Sequence, residues 1–358
     1  MESSVFVIAE IGVNHNGDIG RARELIEAAV ESGAHAAKFQ HFNAEALASQ
    51  MASLAPYQIQ GDGPSQTQRD WLKRFELSVD QQQELKSLCD KKNVEYMATA
   101  FDSGSLRTLL TKIGVSRLKI ASGEITNGPF LLQHAIARLP LIISTGMSNL
   151  EEIRQALNII EHGAVSDTPP AREVIESGVK EGQRRSDRRH SITLLQCTTA
   201  YPAPLEGTNL RVMQKMREVF GCAVGFSDHT PGITAAVAAT ALGAAVIEKH
   251  LTLSCDDDGP DHKASIEPAQ FKEMIQAINN TTMSLGDNRK TIDQSEIENQ
   301  LVARKSLIAM QKIKKGHKFT KENLGIKRPG TGISPMFYWE FLGKVSKANY
   351  GSGDLIVE

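Results

Sequence analysis

Two lysines, two histidines and an acidic loop carry most of the chemistry this sequence offers. Lys38 and Lys119, joined by the hydroxyls of Thr99, Ser122, Ser144 and Ser227, can hold a phosphate, because an ammonium acts as a point charge and hydroxyls satisfy the remaining lone pairs. No Walker motif is present. A phosphorylated acid is therefore the expected ligand. Two other readings stay open: each lysine as a salt-bridge partner, or as a Schiff-base amine whose pKa is lowered by desolvation. His229 and His250, if they stand on adjacent strand ends, can converge on one divalent ion. Imidazole suits Mn²⁺, Fe²⁺, Co²⁺ or Zn²⁺, and a two-His site leaves positions for substrate oxygen and water. A lone histidine is more often structural. The metal reading gains weight from the neighbouring loop Asp256-Asp257-Asp258-Gly259-Pro260-Asp261.

Those residues need a scaffold that brings them to one place. Short apolar, β-branched runs recur at Val5–Glu10, Ala36–Gln40, Glu95–Thr99, Arg117–Ile120, Leu141–Ser144, Ile192–Cys197, Cys222–Phe226 and Ala245–His250. Helical patterns lie between most of them, such as Arg21–Ser32 with Leu25, Ile26 and Ala29 on one face, or Leu150–Glu161 with Ile153, Leu157 and Ile160. Runs that are apolar throughout, alternating with amphipathic helices, predict a parallel sheet covered by helices. Eight such units predict an α/β fold of the closed (β/α)8 type. An open doubly wound sheet is the alternative, but the GxGxxG fingerprint is absent after the first run. In a barrel the functional groups gather at the carboxyl ends of the strands. Here every run ends in or leads to polar residues: Glu10, then Lys38 and Gln40, Thr99, then Lys119, Ser122 and Glu124, Ser144, then Thr198 and Tyr201. The last two supply Ser227, Asp228 and His229, and Glu248, Lys249 and His250. Eight polar strand ends together point to a catalytic mouth.

Hydrophobic residues make up 41% and charged residues 23% of the 358, which predicts a globular chain with a proper core. With 40 Lys plus Arg against 42 Asp plus Glu, nothing attracts nucleic acid or anionic membrane globally. The cysteines Cys89, Cys197, Cys222 and Cys255 form no CxxC pair and read as free thiols. Neither a signal peptide nor a long apolar span is visible, so a cytoplasmic protein without membrane contact is expected. Residues Asn43–Phe75 read as a long binding loop, and Gly163–His190 as a solvated insertion. Three segments are expected: a barrel over 1–290, a linker over 291–304 with Ser295–Ala303 polar, and a small loop-rich domain over 305–358 with apolar stretches Ser306–Ala309 and Gly343–Val345.

A family resemblance adds to this reading. The strings Ala9-Glu10-Ile11-Gly12-Val13-Asn14-His15-Asn16-Gly17, Ala37-Lys38-Phe39-Gln40, Lys119-Ile120-Ala121-Ser122-Gly123-Glu124 and Ser144-Thr145-Gly146-Met147 resemble the bacterial N-acetylneuraminate synthase family. So do Thr198–Pro202, Gly225-Phe226-Ser227-Asp228-His229-Thr230, Glu248-Lys249-His250 and Gly259-Pro260-Asp261-His262, in order and spacing. The tail with Lys327-Arg328-Pro329-Gly330-Thr331-Gly332 looks like an antifreeze-like SAF domain. The resemblance implies phosphoenolpyruvate (PEP) and N-acetylmannosamine as substrates, Mn²⁺ as cofactor with Mg²⁺ or Co²⁺ as substitutes, and a domain-swapped homodimer. By position it implies His229 and His250 as metal ligands. PEP would meet Lys38, Thr99, Lys119, Ser122, Ser144, Tyr201 and Ser227. The sugar would meet Glu10, Gln40 and Asp261, with Arg328 reaching in from the partner subunit. Glu10, Glu124 and Asp261 are the candidate acid–base carboxylates. Gln196 departs from a histidine common at its place and is read as a supporting residue, and Thr199 stands where a relative carries Asn. The rival readings are a legionaminic or other nonulosonic acid synthase, a Schiff-base pyruvate aldolase, and a carbohydrate- or ice-binding protein.

Overall fold

The computed structural model describes residues 5–52, 67–178 and 191–357. Contacts divide the chain after Gly286 into two units. In the first, strands β1 (Phe6–Gly12), β2 (Ala36–His41), β3 (Glu95–Ala100), β4 (Leu118–Ile120), β5 (Leu141–Ser144), β6 (Ile192–Cys197), β7 (Ala223–Asp228) and β8 (Val246–His250) close in sequence order. Each pairs in parallel with the next, and β8 returns to β1 with Glu10 opposite His250. Helices cover the outside because their patterns demand burial on one face. In Leu150–Gly163, Ile153, Leu157 and Ile160 are buried, and Asn149 with Glu152 forms a capping box. The helix Ile19–Ser32 starts at Asp18, whose carboxylate accepts from Gly20 N and Arg21 N, and stops at Gly33 in the left-handed region.

The period of two along each strand positions the chemistry. Ile8, Ala36, Met97, Ile142, Leu195 and Val246 point inward and form one apolar cluster inside the barrel. Two residues further along, the same faces carry Glu10, Lys38, Thr99, Ser144, Cys197 and Glu248. A polar layer thus lies directly on a dry one. At β7 the lower place belongs to Gly225, where a Cβ would stand 2.3 Å from Val246 O, and Ser227 follows above it.

The second unit, Asp287–Glu358, pairs β9 (Ser306–Ala309) antiparallel with β10 (Leu324–Lys327) around Leu307, Phe319, Leu324, Phe341 and Tyr350. Two local expectations change here. The apolar stretch Gly343–Val345 supplies only an isolated bridge, Val345 to Lys318, and the partner of β9 is Leu324–Lys327, which was not singled out. Ser295–Ala303 is helical over Ile297–Ala303, preceded by a turn capped by Asp293. Part of the expected insertion is also structured. Arg172–Ser177 forms a short helix whose Ile175 carbonyl accepts from Asn158 Nδ2 at 2.9 Å, while the arginine-rich stretch over 184–189 lies outside the described residues.

Candidate active site

A cavity of about 320 Å³ opens at the carboxyl ends of the strands. At its base Glu248 stands between two ammonium groups, with Lys38 Nζ 3.5 Å from Oε2 and Lys119 Nζ 3.7 Å from Oε1. Ser227 Oγ donates to Glu248 Oε1 at 2.9 Å, Lys119 Nζ donates to Ser144 Oγ at 2.7 Å, and Lys38 Nζ donates to Thr99 Oγ1 at 3.3 Å. Lys38 also lies 2.5 Å from Glu10 Oε2. All of these side chains are buried. Burial raises the Glu10 carboxyl to about 7 despite Lys38, whereas at Glu248 burial is outweighed by Lys119 and Lys38, which hold it down to about 2. At Lys38 the two carboxylates overcome burial and raise the pKa. At Lys119 burial wins and lowers it.

Beside this cluster the rings of His229 and His250 lie 5.4 Å apart, and Tyr201 stacks 4.2 Å from His229. His229 Nδ1 is engaged by Thr198 O at 2.8 Å, which leaves Nε2 for another partner. His250 Nδ1 is buried without a hydrogen-bond partner, 3.7 Å from Asp261 Oδ2. Two imidazoles on one tetrahedral ion, with metal–nitrogen bonds of about 2.1 Å, put their ring centres roughly 5 Å apart. The pair therefore fits a divalent ion. Among the described residues no cluster of three or more His, Cys, Asp or Glu adds to it, so the ion would keep open positions. Burial raises the Asp261 carboxyl to about 6, against the pull of His229 and Lys38. Gly12, with φ of 55°, marks where three polar side chains converge: a Cβ there would stand 3.3 Å from Glu10, 3.4 Å from Asp261 and 3.4 Å from Gln40.

The structure thus gathers Glu10, Lys38, Gln40, Thr99, Lys119 and Ser122 around one cavity, and Ser144, Tyr201, Ser227, His229, His250 and Asp261 with them. Ser122 Oγ accepts from Gly146 N at 3.0 Å. Glu124 is not brought to the lining. It sits one residue beyond Gly123, which does line the cavity, and accepts from Asn127 Nδ2 at 2.8 Å. Arg328 belongs to the second unit, where its Nε donates to Ala303 O at 3.0 Å. Gln196 spends its amide on Thr208 O, while Thr199 does line the cavity. Asp228 and Lys249 pair at 2.9 Å with no exposure, and Asp228 Oδ1 also accepts from Thr230.

Residues 25–290 match the NeuB family, and residues 304–358 match the SAF domain. The chain belongs to the NeuB family. Among this NeuB-family chain's relatives is the N,N'-diacetyllegionaminic acid synthase of Campylobacter jejuni, 44% identical over 98% of each chain. A Legionella pneumophila protein of the same name is 39% identical, over 98% of this chain and 93% of that one. The crystal structure of N-acetylneuraminic acid synthetase from Leptospira borgpetersenii superposes with a TM-score of 0.67 at 30% identity, covering 83% of this chain and 90% of that one. The resemblance read from the sequence motifs is therefore correct at the level of the family and of both its domains.

What the sequence did not single out is the apolar part of the lining. Val13, Leu47, Trp71, Leu72 and Phe101 also face the cavity. They share no common period, and only Val13 falls inside a quoted motif. Their only signal is that Trp71 and Leu72 are large apolar residues in a segment otherwise polar enough to read as a loop.

Proposed function

We propose that this NeuB-family enzyme condenses PEP with the open-chain aldehyde of an N-acetylated amino sugar, giving a nine-carbon 2-keto acid and inorganic phosphate. The observation that carries the reading is the buried layer in which Lys38, Lys119, Thr99, Ser144 and Ser227 surround Glu248 beside two histidines. N-Acetylmannosamine is the acceptor the sequence resemblance puts first. The relatives at 44% and 39% identity favour instead the 6-deoxy-diacetamido hexose of legionaminic acid synthesis.

Lys38 and Lys119 hold the phosphate and carboxylate of PEP, with hydroxyl donors filling in around them. Binding in this fixed array directs C3 of PEP at the aldehyde carbon. As the C–C bond forms, the aldehyde oxygen takes a proton, which Glu10 or Asp261 would supply, a role their pKa values, both raised by burial, support. Water then adds to C2, and the tetrahedral intermediate breaks its C–O bond to release phosphate. Because Glu124 lies off the cavity lining, Glu10 or Asp261 is the carboxylate proposed to guide that water. His229 and His250 would hold a divalent ion, Mn²⁺ first, that supplies Lewis-acid polarisation of the aldehyde. We further propose a domain-swapped homodimer in which Arg328 acts on the partner's sugar.

The test is phosphate release from PEP with a panel of N-acetylated hexoses, with and without EDTA, alongside calorimetric titration of Mn²⁺ into the protein. His229→Ala and His250→Ala should each lose Mn²⁺ binding as well as turnover. Full activity in metal-free protein would refute the metal, and activity with no N-acetylated sugar would refute the reaction.

A further inference from the structure

The loops that rim the cavity differ in chemistry around the barrel. The strands and loops from β4 to β7 supply Lys119, Ser122, Ser144 and Ser227, all phosphate-type donors, and β7, β8 and β1 supply His229, His250 and Glu10. Strands β2 and β3 themselves bring Lys38, Gln40 and Thr99 to the cavity, but the loops that follow β1, β2 and β3 present mostly hydrocarbon: Val13 after β1, Leu47, Trp71 and Leu72 beside Gln68 after β2, and Phe101 after β3. Beyond the β4–β7 sector's exposed Met147, the apolar lining is concentrated there.

This wall is braced from behind. Trp71 packs on Phe75 at 4.8 Å between ring centres, and Phe101 meets Phe42 edge-on at 6.3 Å. Val13, Trp71 and Leu72 belong to a separate buried cluster with Phe42, Ala44 and Phe75. Ala44 N donates to Glu76 Oε1 at 2.6 Å and Asn43 N to Asp102 Oδ2 at 3.0 Å, fastening the segment to its neighbours. A polar substituent pressed against a fixed apolar wall loses its water without gaining a partner, which disfavours it.

We infer that the β1–β3 wall of Val13, Leu47, Trp71, Leu72 and Phe101 is the subsite for the far end of the acceptor sugar, and that it selects a deoxy C6 methyl and an acetamido methyl over free hydroxyls. The inference rests on the proposed condensation, which places the aldehyde carbon near His229, His250 and Glu10. From there the sugar's carbon chain would pass β1 toward the wall, and Gln40, which lines the same cavity beside Gly12, would serve the amides. An acceptor of this class carries methyl groups where a common hexosamine carries hydroxyls.

The test measures kcat/KM for three acceptors with saturating PEP: 2-acetamido-2-deoxymannose, its 6-deoxy form, and 2,4-diacetamido-2,4,6-trideoxymannose. In the wild type the order should rise along that series, by about tenfold or more at each step, the range a small apolar contact supplies. Val13→Thr keeps the shape and Leu47→Gln sits at a half-buried position, so two independent variants report. Either should cut the preference for the diacetamido sugar over the first sugar at least tenfold, with the KM for PEP within twofold of wild type. Equal use of the three sugars by the wild type, or an unchanged preference in both folded variants, overturns the wall while leaving the condensation intact. Failure of the wild type to release phosphate with any of the three overturns both.

Discussion

Glu248 places one negative charge between two buried ammonium groups, and its own pKa is held down by them. Before substrate binds, that charge offsets the repulsion of Lys38 and Lys119; removing one partner from a buried charge set costs roughly 3 kcal/mol. Glu248→Gln should therefore lower the Tm of the free protein. If PEP binds at these lysines as proposed, it brings its own negative charges there, so the Tm rise on adding PEP should be larger in the variant than in the wild type, as differential scanning fluorimetry can read. An equal or smaller rise would mean that Glu248 does not stand in for substrate. The sequence shows Glu248, Lys249 and His250 as three consecutive polar residues and does not say which face the cavity. Alternation decides it: Glu248 and His250 point in, and Lys249 points out to its buried pairing with Asp228.

At the scale of elements the eight strands were legible almost to the residue, because a parallel strand buried on both faces must be apolar throughout. Short-range signals failed where tertiary contact decides. Ser295–Ala303 reads as polar linker yet is mostly helix, and β10 was missed because Leu324-Gly325-Ile326-Lys327 is too short to show a period. The outer helices make a prediction of their own. His134, in the helix Gly128–Ile136, is buried with Nδ1 donating to Phe130 O at 2.9 Å and Nε2 without a partner. Burial lowers its pKa from 6.5 to about 4. The unfolded chain therefore takes up the proton first. Its contribution is complete above pH 6.5 and is lost as pH falls toward 4, on the order of 3 kcal/mol for a shift of this size. His134→Leu should flatten the fall in Tm between pH 7 and pH 5 relative to wild type. A parallel fall in both proteins would show that His134 does not carry the effect.

For the whole molecule, the order and spacing of the motifs revealed both domains and the family, but the acceptor was not legible. The residues proposed for phosphate and metal stand in recognisable polar strings, whereas the wall proposed for the sugar's far end is made of scattered apolar residues that look like ordinary core. The proposed swapped dimer makes a prediction at this scale. Mixing inactive Arg328→Ala subunits with inactive His229→Ala subunits should restore activity, since a heterodimer holds one site with both lesions and one with neither. Heterodimers that form and stay inactive would show that Arg328 does not act in trans. The central claim is tested most directly by incubating the Mn²⁺-loaded protein with PEP and 2,4-diacetamido-2,4,6-trideoxymannose and quantifying phosphate and keto acid together. The account predicts one phosphate per nine-carbon 2-keto acid, with no borohydride-trapped adduct on Lys38 or Lys119. An imine adduct on either lysine, or no phosphate above that from PEP alone, would contradict it.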